Sequence, residues 1–311
     1  MKKKIFAVIL ALTLILSMAG CSSNTDVSSG GGETDKYQVY LITMDQMDQH
    51  WVTVDAGAKK AADELGNVDY KWLAPDVKDD AKQIESINNA IAGGADAILL
   101  AANGPTAVTS ALKEAEAAGI KIVYVDSPAD FPAEQTLATD NEAAGKTAGE
   151  EMLKALGGKG VTSGKIGIVN VNASTASTVA REKGFRAAFE GKGFEILETQ
   201  YGDGDAAKSK DIAANYITEG VVGIFGGNEG STVGTGNAIK EAGGEVIGVG
   251  FDKSDMILQL IKEDHLLATM SQNPDVMGYE GMKTAVKVLE GGTVDKDYVD
   301  TGVSVITKES L

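Results

Sequence analysis

The 311-residue chain has one cysteine, Cys21, and only two histidines, His50 and His265. A single thiol excludes an intramolecular disulfide and a cysteine metal cluster. Two imidazoles leave little room for a multi-histidine metal site or for histidine-driven chemistry. Positive charge is scarce too: 28 Lys and Arg stand against 45 Asp and Glu, for a net charge of −17. Binding to nucleic acid or an anionic membrane surface relies on Lys and Arg meeting phosphate, so the charge argues against that class of partner. No nucleophile elbow of the Gly-x-Ser-x-Gly type is present. Gly234-Thr-Gly236 sits inside a helical stretch with Ile239 in place of the third glycine, so it fails as a dinucleotide fingerprint. Gly164-Lys165 is followed by Ile166, which rules out a phosphate-binding loop. Asp203-Gly-Asp205 and Asp295-Lys-Asp297 lack the oxygens that calcium needs and read as solvated turns. No metal and no cofactor is expected.

What is present begins with an export segment. MKKK is followed by the 12-residue apolar run IFAVILALTLIL and by LSMAGC, a secretory signal too short for a stable membrane span. It resembles a bacterial lipoprotein signal (1–20), which implies cleavage before Cys21 and lipidation of that residue. Met18 stands where Leu is usual. Residues 21–35, rich in Ser and Gly, read as a flexible tether with a reach on the order of 20 Å. The protein is therefore expected to be extracytoplasmic, touching a membrane only through its lipid anchor.

From residue 36 onward strand and helix patterns alternate. Strands are expected at YQVYLIT (37–43), VDYKWLA (68–74), AILLA (97–101) and KIVYVD (121–126), with a short segment at 134–141. The rhythm then restarts with KIGIVN (165–170), FEILETQ (194–200), VVGIFG (221–226) and EVIGVGFD (245–252). Between the strands, apolar residues such as Val54, Ala58, Ala61 and Leu65 recur at helical spacing and end at glycine. Such alternation specifies parallel sheets covered on both faces. The length and the 38 glycines suit two α/β lobes of similar size. Ligands of open α/β sheets sit at the carboxyl ends of strands. There the chain offers Asp48, His50 and Trp51 in a loop, then Asn103 and Asp126: flat faces and hydrogen-bonding groups suited to a small polar molecule.

The segments HWVTVDAGAKKAADELG, IVYVDSP, ATDN, AREKGF, FGGNEG, VGFDKS and LATMSQNPD, in this order, resemble the periplasmic sugar-binding proteins of the ribose/galactose type, receptors of ABC importers. The resemblance implies two doubly wound parallel-sheet lobes (periplasmic-binding-protein-like type I) joined by three hinge crossings. It places 36–139 plus 273–299 in the N-terminal lobe and 140–272 plus 300–311 in the C-terminal lobe. Hinge positions would be Thr139, Asp140, Asn141, Ser271 and Asn273. Ligand contacts carried across are Asp48, His50, Trp51, Asn103, Asp126, Arg181, Asn228, Phe251, Asp252 and Gln272. Ser127 replaces a common arginine, and Gly204 stands where an aromatic is expected. Three aspartates against one arginine favour a neutral sugar or polyol over an anion. The implied role is a monomeric, non-enzymatic receptor delivering that solute to an ABC permease. QIESINNAIAGGADAILL and DSPAD also resemble autoinducer-2 receptors, so a signal receptor on the same fold is the alternative.

Overall fold

A computed structural model describes residues 36–311; the signal, Cys21 and the tether fall outside the described residues. The first half runs β1 (Tyr37–Ile42), α1 (Gln49–Leu65), β2 (Val68–Leu73), α2 (Asp80–Ala92), β3 (Ala97–Leu100), α3 (Thr109–Ala117), β4 (Lys121–Val125) and β5 (Gln135–Ala138). The second runs α4 (Asn141–Gly158), β6 (Gly164–Asn170), α5 (Ala176–Phe189), β7 (Phe194–Ile196), β8 (Gln200–Tyr201), α6 (Ala206–Thr218), β9 (Val221–Gly226), α7 (Glu229–Glu241), β10 (Ile247–Phe251), α8 (Asp255–Lys262) and β11 (Ala268–Gln272). Then follow α9 (Pro274–Leu289), β12 (Tyr298–Asp300) and β13 (Val303–Thr307).

These strands form two sheets, in the orders β12-β5-β4-β3-β1-β2 and β13-β11-β10-β9-β6-β7, with β8 beside β6. Among the described residues every pair is parallel except β11–β13. Helices cover both faces, so central strands such as AILL and IGVGF are buried along their whole length, which is why they read as unbroken apolar runs. The first lobe's core gathers Ile42, Ile98 and Leu100 on one face and Val39, Leu99 and Met277 on the other. In the second, Phe185 stacks on Phe225 at 4.4 Å and Phe251 meets Phe225 edge-on at 5.9 Å. Burying each such side chain contributes roughly 1.5–3 kcal/mol.

The chain passes between sheets three times: from β5 to α4, from β11 to α9, and from β12 to β13. Hydrogen bonds tie the crossings to one another. Thr139 Oγ1 donates to Gln272 Oε1 (2.9 Å), Asn273 Nδ2 to the Thr301 carbonyl (2.7 Å) and Asp140 N to Asp300 Oδ1 (3.1 Å). Ser271 is buried and pairs with Ser304 of β13.

One helix pair in each lobe makes an unusually close crossing through glycine. A Cβ on Gly57 of α1 would lie 2.1 Å from the Asp275 carbonyl oxygen of α9, and one on Gly278 2.0 Å from that of Val54. In the other lobe a Cβ on Gly145 of α4 would lie 2.0 Å from the Arg181 carbonyl oxygen, and one on Gly184 of α5 1.9 Å from that of Glu142. Those contacts set the depth of α1 and α5, the helices that carry His50 and Arg181.

Three details differ from the sequence expectation. Helix α1 starts at Gln49 with Asp48 in the N-cap position, so His50 and Trp51 lie in its first turn and not in a loop. Nothing in 46–53 is Gly or Pro, and the polar residues there merely interrupt the apolar period. The strand expected over 194–200 is split into β7 and β8, because it lies at a sheet edge where Glu198 and Thr199 are drawn to Tyr216, Glu182 and Arg186. Asp300 pairs with Ala138 in the first sheet, although the expectation assigned it to the second lobe.

Candidate ligand-binding cleft

The carboxyl ends of both sheets face one another, and equivalent strands supply equivalent groups. Asp126 follows β4 and Asp252 follows β10; both adopt left-handed backbone angles, with φ of 65° and 74°. Their amides donate at 2.9 Å to Leu137 and Met270 of the neighbouring strands. Non-glycine residues are held in this region at a cost, and such strain is typical of positions that must aim a side chain.

His50 stands between these two aspartates. Its Nε2 lies 3.0 Å from Asp126 Oδ2 and its Nδ1 3.5 Å from Asp252 Oδ1. Burial alone would lower the imidazole pKa, but Asp252 and Asp126 outweigh it and raise the value. Asp126 is itself pulled down to about 2: burial opposes ionisation, and the hydrogen bond and charge of His50, with the Arg181 guanidinium, overcome it. Trp51 meets His50 edge-on at 4.6 Å, and its indole donates to Asp45 Oδ2 at 3.1 Å.

Arg181 arrives from α5 and is buried. Its Nε donates to Asn141 Oδ1 (2.8 Å) and its Nη1 to the Gly227 carbonyl (3.0 Å), while the guanidinium lies over the Phe251 ring at 4.3 Å. Nη2 lies 3.8 Å from Asp126 Oδ2 and makes no hydrogen bond. Asn228 caps α7, accepting from Ser231 N, and its Nδ2 is 3.5 Å from Asp48 Oδ2. Gln272 donates to Asp252 at 2.5 Å.

Asp48, His50, Trp51, Asp126, Arg181, Asn228, Asp252 and Gln272 line one cavity. Two expected contacts sit elsewhere. Phe251 is fully buried beneath Arg181 and supports that side chain from the core. Asn103 is buried beside the cavity, with its side-chain nitrogen donating to Asp80 and its backbone carbonyl accepting from Thr175 Oγ1 at 2.7 Å. The cavity measures only about 20 Å³, on the order of one water molecule. The point where these groups converge is therefore filled by the protein's own side chains, and contacts such as Ser127 Oγ to Ser177 Oγ (2.7 Å) and Gln49 Oε1 to Asp255 N (3.3 Å) hold the lobes together. A larger depression of about 480 Å³ lies at the strands' amino ends, around Gln135, Lys283 and Lys287. It contains none of these groups, and strand topology favours the carboxyl-end cleft.

Sequence reasoning missed Lys78. Its buried ammonium is paired with Asp45 and, at 2.8 Å, with Asp48, and burial is more than offset by those carboxylates, so its pKa is raised. Its side chain fills the space that Gly204 leaves open: a Cβ there would lie 2.7–2.9 Å from three Lys78 atoms. A lysine in a polar loop carries no sequence signal of this role; only the glycine opposite hinted at it. The charge count changes accordingly. Asp45, Asp48, Asp126 and Asp252 face Lys78, Arg181 and a His50 driven toward imidazolium, not one arginine alone.

The chain matches the periplasmic binding protein domain family over residues 39–293, and it belongs to that family. It is 31% identical over 273 residues to the ribose import binding protein RbsB of Haemophilus influenzae, covering 86% of this chain and 90% of that protein. A carbohydrate transporter solute binding protein from Agrobacterium radiobacter, solved with D-arabinose, superposes with a TM-score of 0.84 at 30% identity, over 89% of this chain and 96% of the other. An ABC transporter solute binding protein from Agrobacterium vitis with bound D-fucose superposes at 0.83, with 30% identity and 88% and 96% coverage. Among the described residues no helix is long and apolar enough to cross a membrane.

Proposed function

We propose that the protein is an extracytoplasmic receptor that binds a small neutral sugar between its lobes and presents it to an ABC permease. The observation that carries this reading is the convergence of Asp126, Asp252, Arg181 and His50 on one buried point, with Arg181 Nη2 lacking a hydrogen bond there. An unpaired buried donor is costly, by about 1–3 kcal/mol, and a sugar hydroxyl oxygen is a fitting acceptor. The paired charges suit a ligand without charge of its own. The relative named for ribose import and the transporter solute binding proteins solved with D-arabinose and D-fucose support import over signalling.

Admission of a sugar requires the lobes to part, with rotation absorbed at Thr139–Asn141, Ser271–Asn273 and the β12–β13 link. The ligand then takes the space between Asp126 and Asp252 that His50 now occupies. Asp48, Asn228 and Gln272 bind ring hydroxyls, and His50 and Trp51 supply the flat wall. The receptor acts as a monomer without catalysis, lipidated at Cys21. Thermal unfolding with D-ribose, D-allose, D-arabinose and D-fucose tests the reading. A cognate sugar at 100 times its Kd adds about 2.7 kcal/mol; no stabilisation by any neutral sugar refutes it.

A further inference from the structure

The amino end of α1 lacks a cap of its own. Asp48 in the N-cap position makes no capping hydrogen bond, and no acidic residue lies in the first turn. The Asp48 carboxylate is held instead by Lys78 at 2.8 Å. The His50 donor of that first turn is met from the opposite lobe: Glu229 Oε2 accepts from the His50 amide at 3.1 Å. Glu229 begins α7, so a single carboxylate lies between the amino ends of two helices from different lobes. Helix amino ends favour negative charge, and this contact exists only while the lobes are together.

We infer that Glu229 is a positioning residue that caps α1 across the cleft and makes lobe closure depend on pH. The surroundings supply the coupling. Glu229 is buried, and its neighbours Asp48, from the loop before α1, and Asp252, after β10, are acidic. Asp45, Asp76, Asp203 and Asp205 line the same groove, and Lys78 is the cation there. Burial, then Asp48 and Asp252, push the carboxyl up to about 7, against the pull of the Gln49 and His50 amides. Parting the lobes returns Glu229 to water and to its ordinary range. A group whose pKa is higher in the closed form takes up a proton on closing, so closure is favoured below about pH 7 and loses that support as the pH rises through it. His50, across the same contact, is also raised and acts in the same direction, so the two must be separated by substitution.

The test compares the wild type with Glu229→Gln, which keeps an acceptor for the His50 amide but cannot titrate, and with Glu229→Ala. Small-angle scattering of the sugar-free protein at about pH 6 and pH 8 reads closure directly, and calorimetric titration with D-ribose and D-arabinose reads affinity. The closure equilibrium of the wild type shifts about tenfold toward open between about pH 6 and pH 8 through Glu229. The Glu229→Gln protein loses that component, and Glu229→Ala is the more open at both values. Equal pH responses in the wild type and Glu229→Gln overturn the inference, as does a wild type whose scattering is independent of pH. The inference rests on the closing-receptor reading, yet the two fail separately: pH-dependent closure in a protein that takes up neither sugar in calorimetry refutes only the sugar assignment. Equal thermal midpoints of the wild type and Glu229→Gln at about pH 6 exclude misfolding as the cause.

Discussion

Replacing Lys78 by methionine removes a cation from between two carboxylates while preserving much of the side-chain volume against Gly204. Asp45 keeps the Met47 amide (2.6 Å), the Asp48 amide (3.0 Å) and the Trp51 indole (3.1 Å) as partners; Asp48 loses its strongest one. Breaking one side of a buried ion pair costs about 3–5 kcal/mol. The higher figure applies to fully enclosed charges, and Asp48 retains some contact with solvent, so about 3 kcal/mol is expected here. At ~2–4 °C per kcal/mol, the midpoint falls by roughly 6–12 °C at about pH 7. The pH dependence is specific. Asp45 is lowered, since the pull of Lys78 and the backbone donors exceeds its burial, so its contribution is present above the ordinary carboxylate range and is lost as pH falls through the lowered value. Asp48 is raised, burial exceeding the pull of Lys78, so it is the first of the two to be neutralised by acid. The deficit of the Lys78→Met protein is therefore greatest near neutrality and shrinks toward about pH 4, where protonation relieves the stranded carboxylates. Differential scanning calorimetry from about pH 4 to pH 8 measures it. A deficit below about 1 kcal/mol at neutral pH, or one that grows on acidification, refutes the triad.

Arg181→Lys keeps the charge but loses the planar fork that spans Asn141, Gly227 and the ligand; about 10- to 100-fold weaker sugar binding is expected in calorimetry, from hydrogen bonds to a charged group worth ~1.5–3 kcal/mol. Gly184→Ala drives a methyl into the Glu142 carbonyl, forces α4 and α5 apart and displaces Arg181; a loss of about 1–3 kcal/mol in thermal unfolding is expected, with weakened binding. Trp51→Phe removes the indole bond to Asp45 and destabilises by about 1.5–3 kcal/mol, read by denaturant titration.

The alternation of elements and the two-sheet architecture were legible in the chain's patterning, because each parallel strand must be apolar on both faces and each helix on one. The same patterning marked Asp48, His50, Trp51, Asn103 and Asp126 at strand ends, where side chains can converge; Arg181, Asn228, Asp252 and Gln272 were implied only by the resemblance to the sugar-binding family. Whatever depends on what lies opposite emerged only from the packed molecule. Phe251 and Asn103 stand at the right chain positions, yet neighbouring helices place one beneath Arg181 and the other beside Asp80. Lys78 and Glu229 are ordinary charged residues in their own segments. The carboxylates of Lys78 lie across the loop before α1, and the amide that Glu229 caps is 179 residues away. Local patterning reports how a segment buries its own surface; it carries no record of partners that only tertiary packing brings together.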